Sequence, residues 1–237
     1  MDCSSILRRV QDLLIIIPAY NEADSIAATV AEVRAAVDYD FIVVNDGSSD
    51  DTARILDREG IPHLDLPINL GIGGAMQTGY RYAYREGYRY AAQLDGDGQH
   101  DPKDLPRLAH ALESGGHDMV IGSRFVEERG YRGGRARRSG IYYFQHLIRF
   151  LTGLRITDPT SGFRLANRRV IEEFVEHYPV DYPEVEVVVS LARRGYRLAE
   201  VPVDMRDRAG GVSSITAVRS LYYMAKVTLF LVIRRLF

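Results

Sequence analysis

The chain is poor in the residues that would mark a stapled or secreted scaffold. Among 237 residues there is one cysteine, Cys3. No intrachain disulfide can form, a reducing compartment fits better than secretion, and no metal site rests on thiolates. Lysine is scarce too, since 28 of the 30 basic residues are arginine. Guanidinium forks suit phosphate recognition, although genomic base composition gives the same bias. Long apolar runs are also missing. Leu13 to Ile17 is too short for a signal peptide and ends in Pro18-Ala19-Tyr20-Asn21-Glu22, so it reads as a buried strand. The tail from Ile215 to Phe237 is interrupted by Lys226 and closed by Arg234 and Arg235. It falls short of the roughly 20 uninterrupted apolar residues that a spanning helix needs. No internal repeat, low-complexity tract or linker between independent domains is visible.

What is present, 46% hydrophobic and 26% charged residues, describes an ordinary globular chain and excludes disorder and collagen-like repeats. The net charge of −2 hides an asymmetry. Cut after Ser123, the two halves carry −10 and +8, which suggests that they meet different partners. Short β-branched runs alternate with helical-period segments, the pattern of an α/β domain with a largely parallel sheet. Strands are expected at Leu13 to Ile17, Phe41 to Asn45, Tyr90 to Leu94 and Met119 to Ile121. Helices are expected at Asp24 to Val37, Thr52 to Glu59, Gly74 to Glu86, Leu105 to Ser114, Tyr142 to Leu151, Arg168 to His177 and Glu184 to Arg194.

The first two strands end in polar turns, Pro-Ala-Tyr-Asn-Glu and Asn45-Asp46-Gly47-Ser48-Ser49-Asp50. Open α/β sheets bind ligands at this carboxyl edge. A turn of that composition also starts helices, with Ser49 or Asp50 as N-cap. Asn69-Leu70-Gly71-Ile72-Gly73-Gly74 permits close backbone approach to a ligand, but Met76 stands where a dinucleotide fingerprint has Gly or Ala. The sharpest signal is Leu94-Asp95-Gly96-Asp97-Gly98-Gln99-His100-Asp101-Pro102. Two carboxylates one residue apart, with a nearby amide oxygen, offer hard ligands for Mg²⁺ or Mn²⁺. An ion held by few carboxylates is completed by phosphate oxygens in sites for nucleotide substrates. The basic half adds Arg124, Arg129, Arg132, Arg135, Arg137 and Arg138, a candidate phosphate clamp. Asp158 lies on a tight turn, and Glu184 and Glu186 lie at a helix start, where the macrodipole alone favours them.

With Gly-Ser-Arg-Phe at 122–125, Asp-Pro-Thr-Ser-Gly-Phe-Arg at 158–164 and Arg-Ala-Gly-Gly-Val-Ser at 208–213, these motifs stand in the order found in inverting glycosyltransferases of family 2. The chain resembles that family, and most closely its polyprenyl-phosphate mannose synthase branch, from Ile15 to about Ile215. The resemblance implies a GT-A fold: a Rossmann-like single domain, 1–212, with a mostly parallel mixed sheet; the tail, 213–237, reads from its own residues as a C-terminal amphipathic helix. It implies that Pro18, Tyr20, Glu22, Val44 and Asp46 line the nucleoside pocket and that Asp95 and Gly96 contact the nucleotide. Asp97 and Gln99, with Asp95, would hold Mg²⁺ or Mn²⁺. Arg124 and Arg208 would contact the donor, while the phosphate role read for the basic half assigns Arg135, Arg138, Arg208 and Ser213 to the acceptor phosphate. The mannose synthases end the last motif in Ser-Lys, whereas this chain has Ser213-Ser214, so GDP-mannose and UDP-glucose both remain open as donors.

The expected activity is transfer of a sugar from a nucleotide-sugar donor to a polyprenyl phosphate, with Asp97 and Arg124 central to the chemistry. If the acceptor is instead a saccharide hydroxyl in polysaccharide assembly, a base is required, and Asp158 or Glu186 is the choice. A non-catalytic nucleotide-sugar-binding subunit is the third reading. The apolar tail, flanked by Arg219, Lys226, Arg234 and Arg235, suits an interfacial helix near anionic head groups, or one that packs on the core or in a homodimer. The expected location is the cytoplasmic face of the membrane, peripherally bound, with an integral-membrane partner as one option and no nucleic acid.

Overall fold

The computed structural model describes residues 12–126, 135–180, 183–206, 224–229 and 231. Its elements run β1 (Leu13–Ala19), α1 (Ile26–Ala36), β2 (Asp40–Asn45), α2 (Thr52–Arg58), β3 (His63–Asp65), α3 (Gly71–Arg85) and β4 (Tyr90–Gln93). They continue with α4 (Leu105–Ser114), β5 (Met119–Ser123), α5 (Arg135–Thr152), β6 (Arg164–Asn167), α6 (Arg168–Glu176), α7 (Pro183–Arg193) and β7 (Leu198–Pro202). A one-turn 3₁₀ helix, Pro102–Asp104, precedes α4 and is capped by the Asp101 carboxylate, which accepts the Lys103 N–H.

The seven strands form one sheet in the order β3-β2-β1-β4-β6-β5-β7. Every neighbouring pair is parallel except the two that involve β6, which is antiparallel to both β4 and β5. All seven residues of β1 are buried, as expected for a strand covered on both faces. Its alternation divides the core. Leu14 and Ile16 pack with Met76 and Tyr80 of α3 and with buried residues of α5, α6 and α7. Leu13, Ile15 and Ile17 pack with Ile26 and Val30 of α1, Leu56 of α2 and Leu105 and Leu108 of α4. The result is a three-layer α/β/α sandwich whose mostly parallel sheet matches the expected fold class.

The four expected strands are present, and three more join them. β3 is only three residues long, β6 carries a charged residue at its first position, and β7 is partly exposed with Glu200 in its middle. None of them forms an apolar run, so periodicity does not mark them. α3 begins at Gly71 rather than Gly74, and α5 begins at Arg135 rather than Tyr142. Residues 224–229 are helical, with Val227 and Leu231 buried against the α5 side of the core. The rest of 213–237, together with Arg129, Arg132, Arg208 and Ser213, lies outside the described residues, as do the side chains of Arg135 and Arg137.

Candidate active site

β1 and β2 end level, with Pro18 opposite Val44 and Ala19 opposite Asn45. The two turns that follow are laced together. Asn21, in the left-handed region at φ 56°, accepts the Ser49 N–H at 2.8 Å and donates its own N–H to Ser48 Oγ at 2.9 Å. The Glu22 N–H goes to Thr52 Oγ1 and the Ala23 N–H to Asp50. Asp46 is buried and accepts the Leu70 N–H at 2.7 Å, tying this edge to the start of α3. Asn is among the few non-glycine residues that tolerate the backbone conformation Asn21 adopts.

The turn after β4 is seated against this edge. Thr29 Oγ1 of α1 donates to the Gly96 carbonyl at 3.0 Å, and a Cβ on Gly96 would meet the Pro18 carbonyl oxygen at 3.1 Å. Asp97, 5% exposed, accepts the Gln99 N–H at 3.0 Å, and Gly98 at φ +74° lets the chain reverse between them. Asp95 Oδ1 accepts from Gln93 Nε2 at 3.2 Å, while its main-chain N–H donates to His100 Nδ1 at 3.1 Å. The backbone of residues 99–100 pairs with 205–206: the Arg206 N–H donates to the Gln99 carbonyl, and His100 bridges Met205. The Arg206 guanidinium spans Glu32 and Asp101, both at 2.7 Å.

The donors on this turn fit a divalent cation by chemical type, being two carboxylates and an amide oxygen. Among the described residues no group of three or more His, Cys, Asp or Glu side chains is set to hold a metal ion. An ion bound here therefore takes much of its shell from water or ligand oxygens, which is how Mg²⁺ is commonly held beside phosphates.

A second cluster stands beside the first. Arg124 forks onto Asp158, with Nε to Oδ2 at 2.6 Å and Nη2 to Oδ1 at 2.7 Å, and its N–H also reaches Oδ2. Asp158 is 0% exposed. Glu200 of β7 braces the same turn by accepting the Thr157 and Asp158 N–H groups. Burial raises the Glu200 carboxyl pKa, those two hydrogen bonds oppose the rise, and the Asp158 charge adds to it. The turn's far end is held by Arg164, a buried guanidinium that donates to the carbonyls of Ser161, Pro159 and Glu184. A Cβ on Gly162 would lie 2.9 Å from Gln93 Nε2 and 3.1 Å from the Asp95 carboxylate. The two turns touch at that glycine.

The expected site residues thus divide. Pro18, Tyr20, Glu22, Asp46, Asp95, Gly96, Asp97 and Gln99 gather on three neighbouring turns at the carboxyl edge of the sheet. Val44 does not face a cleft, because its side chain is wholly buried in the core with Leu14 and Ile16. Asp158, expected as a base only for a hydroxyl acceptor, has both of its oxygens held by the Arg124 guanidinium and no surface exposed to solvent. Arg124 correspondingly spends its Nε and one Nη on that carboxylate. Glu186 is half-buried in the first turn of α7, and Arg138 is exposed on α5. Of the glycines opening α3, Gly73 serves packing: a Cβ there would stand 2.2 Å from the carbonyl oxygens of both Pro179 and Val180. Arg164 and Glu200 were not singled out from the sequence. Glu184 was noted there only for the macrodipole, yet burial raises its pKa, with Arg164 opposing the rise and Asp95 adding to it.

The glycosyl transferase family 2 model matches residues 14–175. The chain is 31% identical over 233 residues to a polyprenol monophosphomannose synthase of Mycolicibacterium smegmatis, covering 93% of this chain and 87% of that protein. It is 33% identical over 215 residues to an undecaprenyl-phosphate mannosyltransferase of Micrococcus luteus, covering 86% and 87%. Among solved structures it is similar to glucosyl-3-phosphoglycerate synthase from Mycobacterium tuberculosis in complex with Mn²⁺, UDP and glucosyl-3-phosphoglycerate. The TM-score is 0.74 at 20% identity, over 99% of this chain and 84% of that one, a likeness of fold. The ordered motifs, the sheet and the sequence matches agree: the chain belongs to glycosyl transferase family 2, with the GT-A fold, and is a glycosyltransferase.

Proposed function

We propose that the enzyme transfers a sugar, with inversion, from a nucleoside-diphosphate donor to a polyprenyl phosphate at the inner face of the cell membrane. The observation that carries this reading is the Asp95 to Gln99 turn, seated by Thr29 and Gly96 against the polar ends of β1 and β2. The nucleoside would lie against Pro18, Tyr20, Glu22 and Asp46, and Asp95 and Gly96 would meet the nucleotide. Asp97 and Gln99, with Asp95, would hold Mg²⁺ or Mn²⁺. Such an ion, when bound, supplies Lewis-acid stabilisation of the departing diphosphate. The protein's own part is to present these oxygens from a turn that the Asp97 to Gln99 hydrogen bond already fixes. Preorganised groups cost no rearrangement as charge develops.

The acceptor reading is favoured by the names of the two mannosyl-transferring relatives and by the state of Asp158. A phosphate monoester has a second pKa of about 6 and is largely ionised at neutral pH, so it attacks without a strong base. A saccharide hydroxyl needs one, and the Asp158 carboxylate is committed to Arg124. Arg138, Arg135, Arg208 and Ser213 are proposed for the acceptor phosphate. Among the described residues no helix is long and apolar enough to cross a membrane. Peripheral attachment is supported by exposed Tyr142 and Phe150 on α5 and by exposed Leu229, beside exposed Arg138, Arg149 and Lys226. Aromatic and basic side chains together suit an anionic lipid surface.

The donor is tested by thermal shift against a panel of nucleotide sugars with MgCl₂ or MnCl₂, since ligand binding stabilises the native state. One donor, or donors sharing one base, should raise Tm only when metal is present. A panel that leaves Tm unchanged throughout would contradict the reading.

A further inference from the structure

His100 is the member of the post-β4 turn to which neither the motifs nor the proposed chemistry assign a role. Its surroundings are specific. The ring is 2% exposed and lies flat on Phe163 of the neighbouring turn, with centroids 4.9 Å apart and planes at 14°. Nδ1 accepts the Asp95 N–H at 3.1 Å, so that nitrogen carries no proton and the ring proton sits on Nε2. Nε2 lies 3.6 Å from Asp95 Oδ2. The other oxygen, Oδ1, takes the Gln93 amide N–H. Asp95 is thus hydrogen-bonded at its backbone by an imidazole whose other nitrogen lies near its carboxylate, beyond hydrogen-bond distance.

We infer that His100 is a positioning residue: it fixes the Asp95 main chain through Nδ1 and steers the Asp95 carboxylate through space from Nε2, 3.6 Å away. The stack on Phe163 sets the plane of the ring. Phe163 follows Gly162, the residue whose missing side chain lets Asp95 approach, and its carbonyl accepts the Gly122 N–H of β5 at 2.8 Å. The same histidine bridges Met205 through its backbone. Two segments distant in sequence therefore hold this histidine, Phe163 at the ring and Met205 at the backbone, and the orientation of Asp95 follows from their joint placement. Groups that orient a ligating carboxylate from behind contribute about 10- to 100-fold in metal affinity elsewhere.

This inference rests on the proposed role of the turn in metal-assisted nucleotide binding. Its test is calorimetry of GDP and UDP with the full chain, in MnCl₂ and in EDTA, for wild type, His100→Asn and His100→Gln. Asparagine retains an acceptor near Nδ1, whereas glutamine extends an N–H donor toward the position of Nε2. Expected is a loss of about tenfold or more in the Mn²⁺-dependent gain for His100→Asn, partial rescue by His100→Gln, and unchanged binding in EDTA for both. If both variants keep the wild-type Mn²⁺ gain, or both lose affinity equally with and without metal, the positioning role is overturned while the donor reading stands. If wild type itself binds neither nucleotide more tightly with Mn²⁺, the metal reading falls and the positioning role falls with it.

Discussion

Asp95 and Asp158 lie in adjoining turns at the same edge of the sheet, joined through Gly162, and their surroundings differ in nearly every respect. The Asp95 side chain keeps 33% of its surface, accepts one hydrogen bond from the Gln93 amide and has His100 Nε2 3.6 Å away. Asp158 has no exposed surface, and a guanidinium holds both of its oxygens. A partly exposed carboxylate is open to a ligand, whereas one forked by a buried arginine is committed to the fold. On the proposed reading the first turn receives the ligand, and the second holds its neighbour in place.

Breaking the second turn should have the largest effect on stability. Asp158→Ala leaves Arg124 buried without its partner, and removing one member of a buried pair costs about 3–5 kcal/mol. Chemical denaturation should show that loss. Asp97→Asn should give the reverse pattern. The amide oxygen still accepts the Gln99 N–H, so stability should hardly change, while the Mn²⁺ gain in nucleotide affinity falls at least as much as the roughly 10- to 100-fold seen for loss of outer-shell partners. Equal damage to folding and binding by both substitutions would erase the distinction between the turns.

Much of this was legible from the sequence, because the motifs sit where strands end. The apolar runs marked β1, β2, β4 and β5, and the polar ends of three strands converge as expected. What escaped was tertiary. β6 and β7 have no apolar run to announce them, and they form only because β4 and β5 offer edges to pair with. The glycines opening α3 read as permitting close approach to a ligand, and only the fold shows that Gly73 instead makes room for the carbonyls of Pro179 and Val180. The pairing of Asp158 with Arg124 joins residues 34 positions apart, and no local pattern encodes it. Carboxylates are legible as candidates, but their roles depend on which partner the fold brings near.

Gly73→Ala sharpens the reading of α3 as packing. Its methyl group would meet two carbonyl oxygens, and overpacking of this kind costs about 1–3 kcal/mol. Stability should fall while the Mn²⁺ dependence of nucleotide binding persists.

The smallest effect concerns Glu184, whose pKa burial raises above its ordinary 4.5. The unfolded chain releases this proton at lower pH than the fold does. Its stabilising contribution is present at low pH and is lost as pH rises through the folded value. Glu184→Gln should therefore flatten the decline of stability with pH above about 4.5, a small change measurable by denaturation at several pH values.

The central claim, that an edge built around Asp95 and Asp97 serves transfer to a lipid phosphate, is tested most directly by product partition. The enzyme is incubated with MnCl₂, a polyprenyl phosphate and the radiolabelled nucleotide sugar identified by thermal shift, and the label is followed between organic and aqueous phases. The account predicts an organic-extractable product that mild acid releases and that Asp97→Asn fails to form. Label transferred only to water-soluble material, or organic product formed equally well by Asp97→Asn, would contradict it.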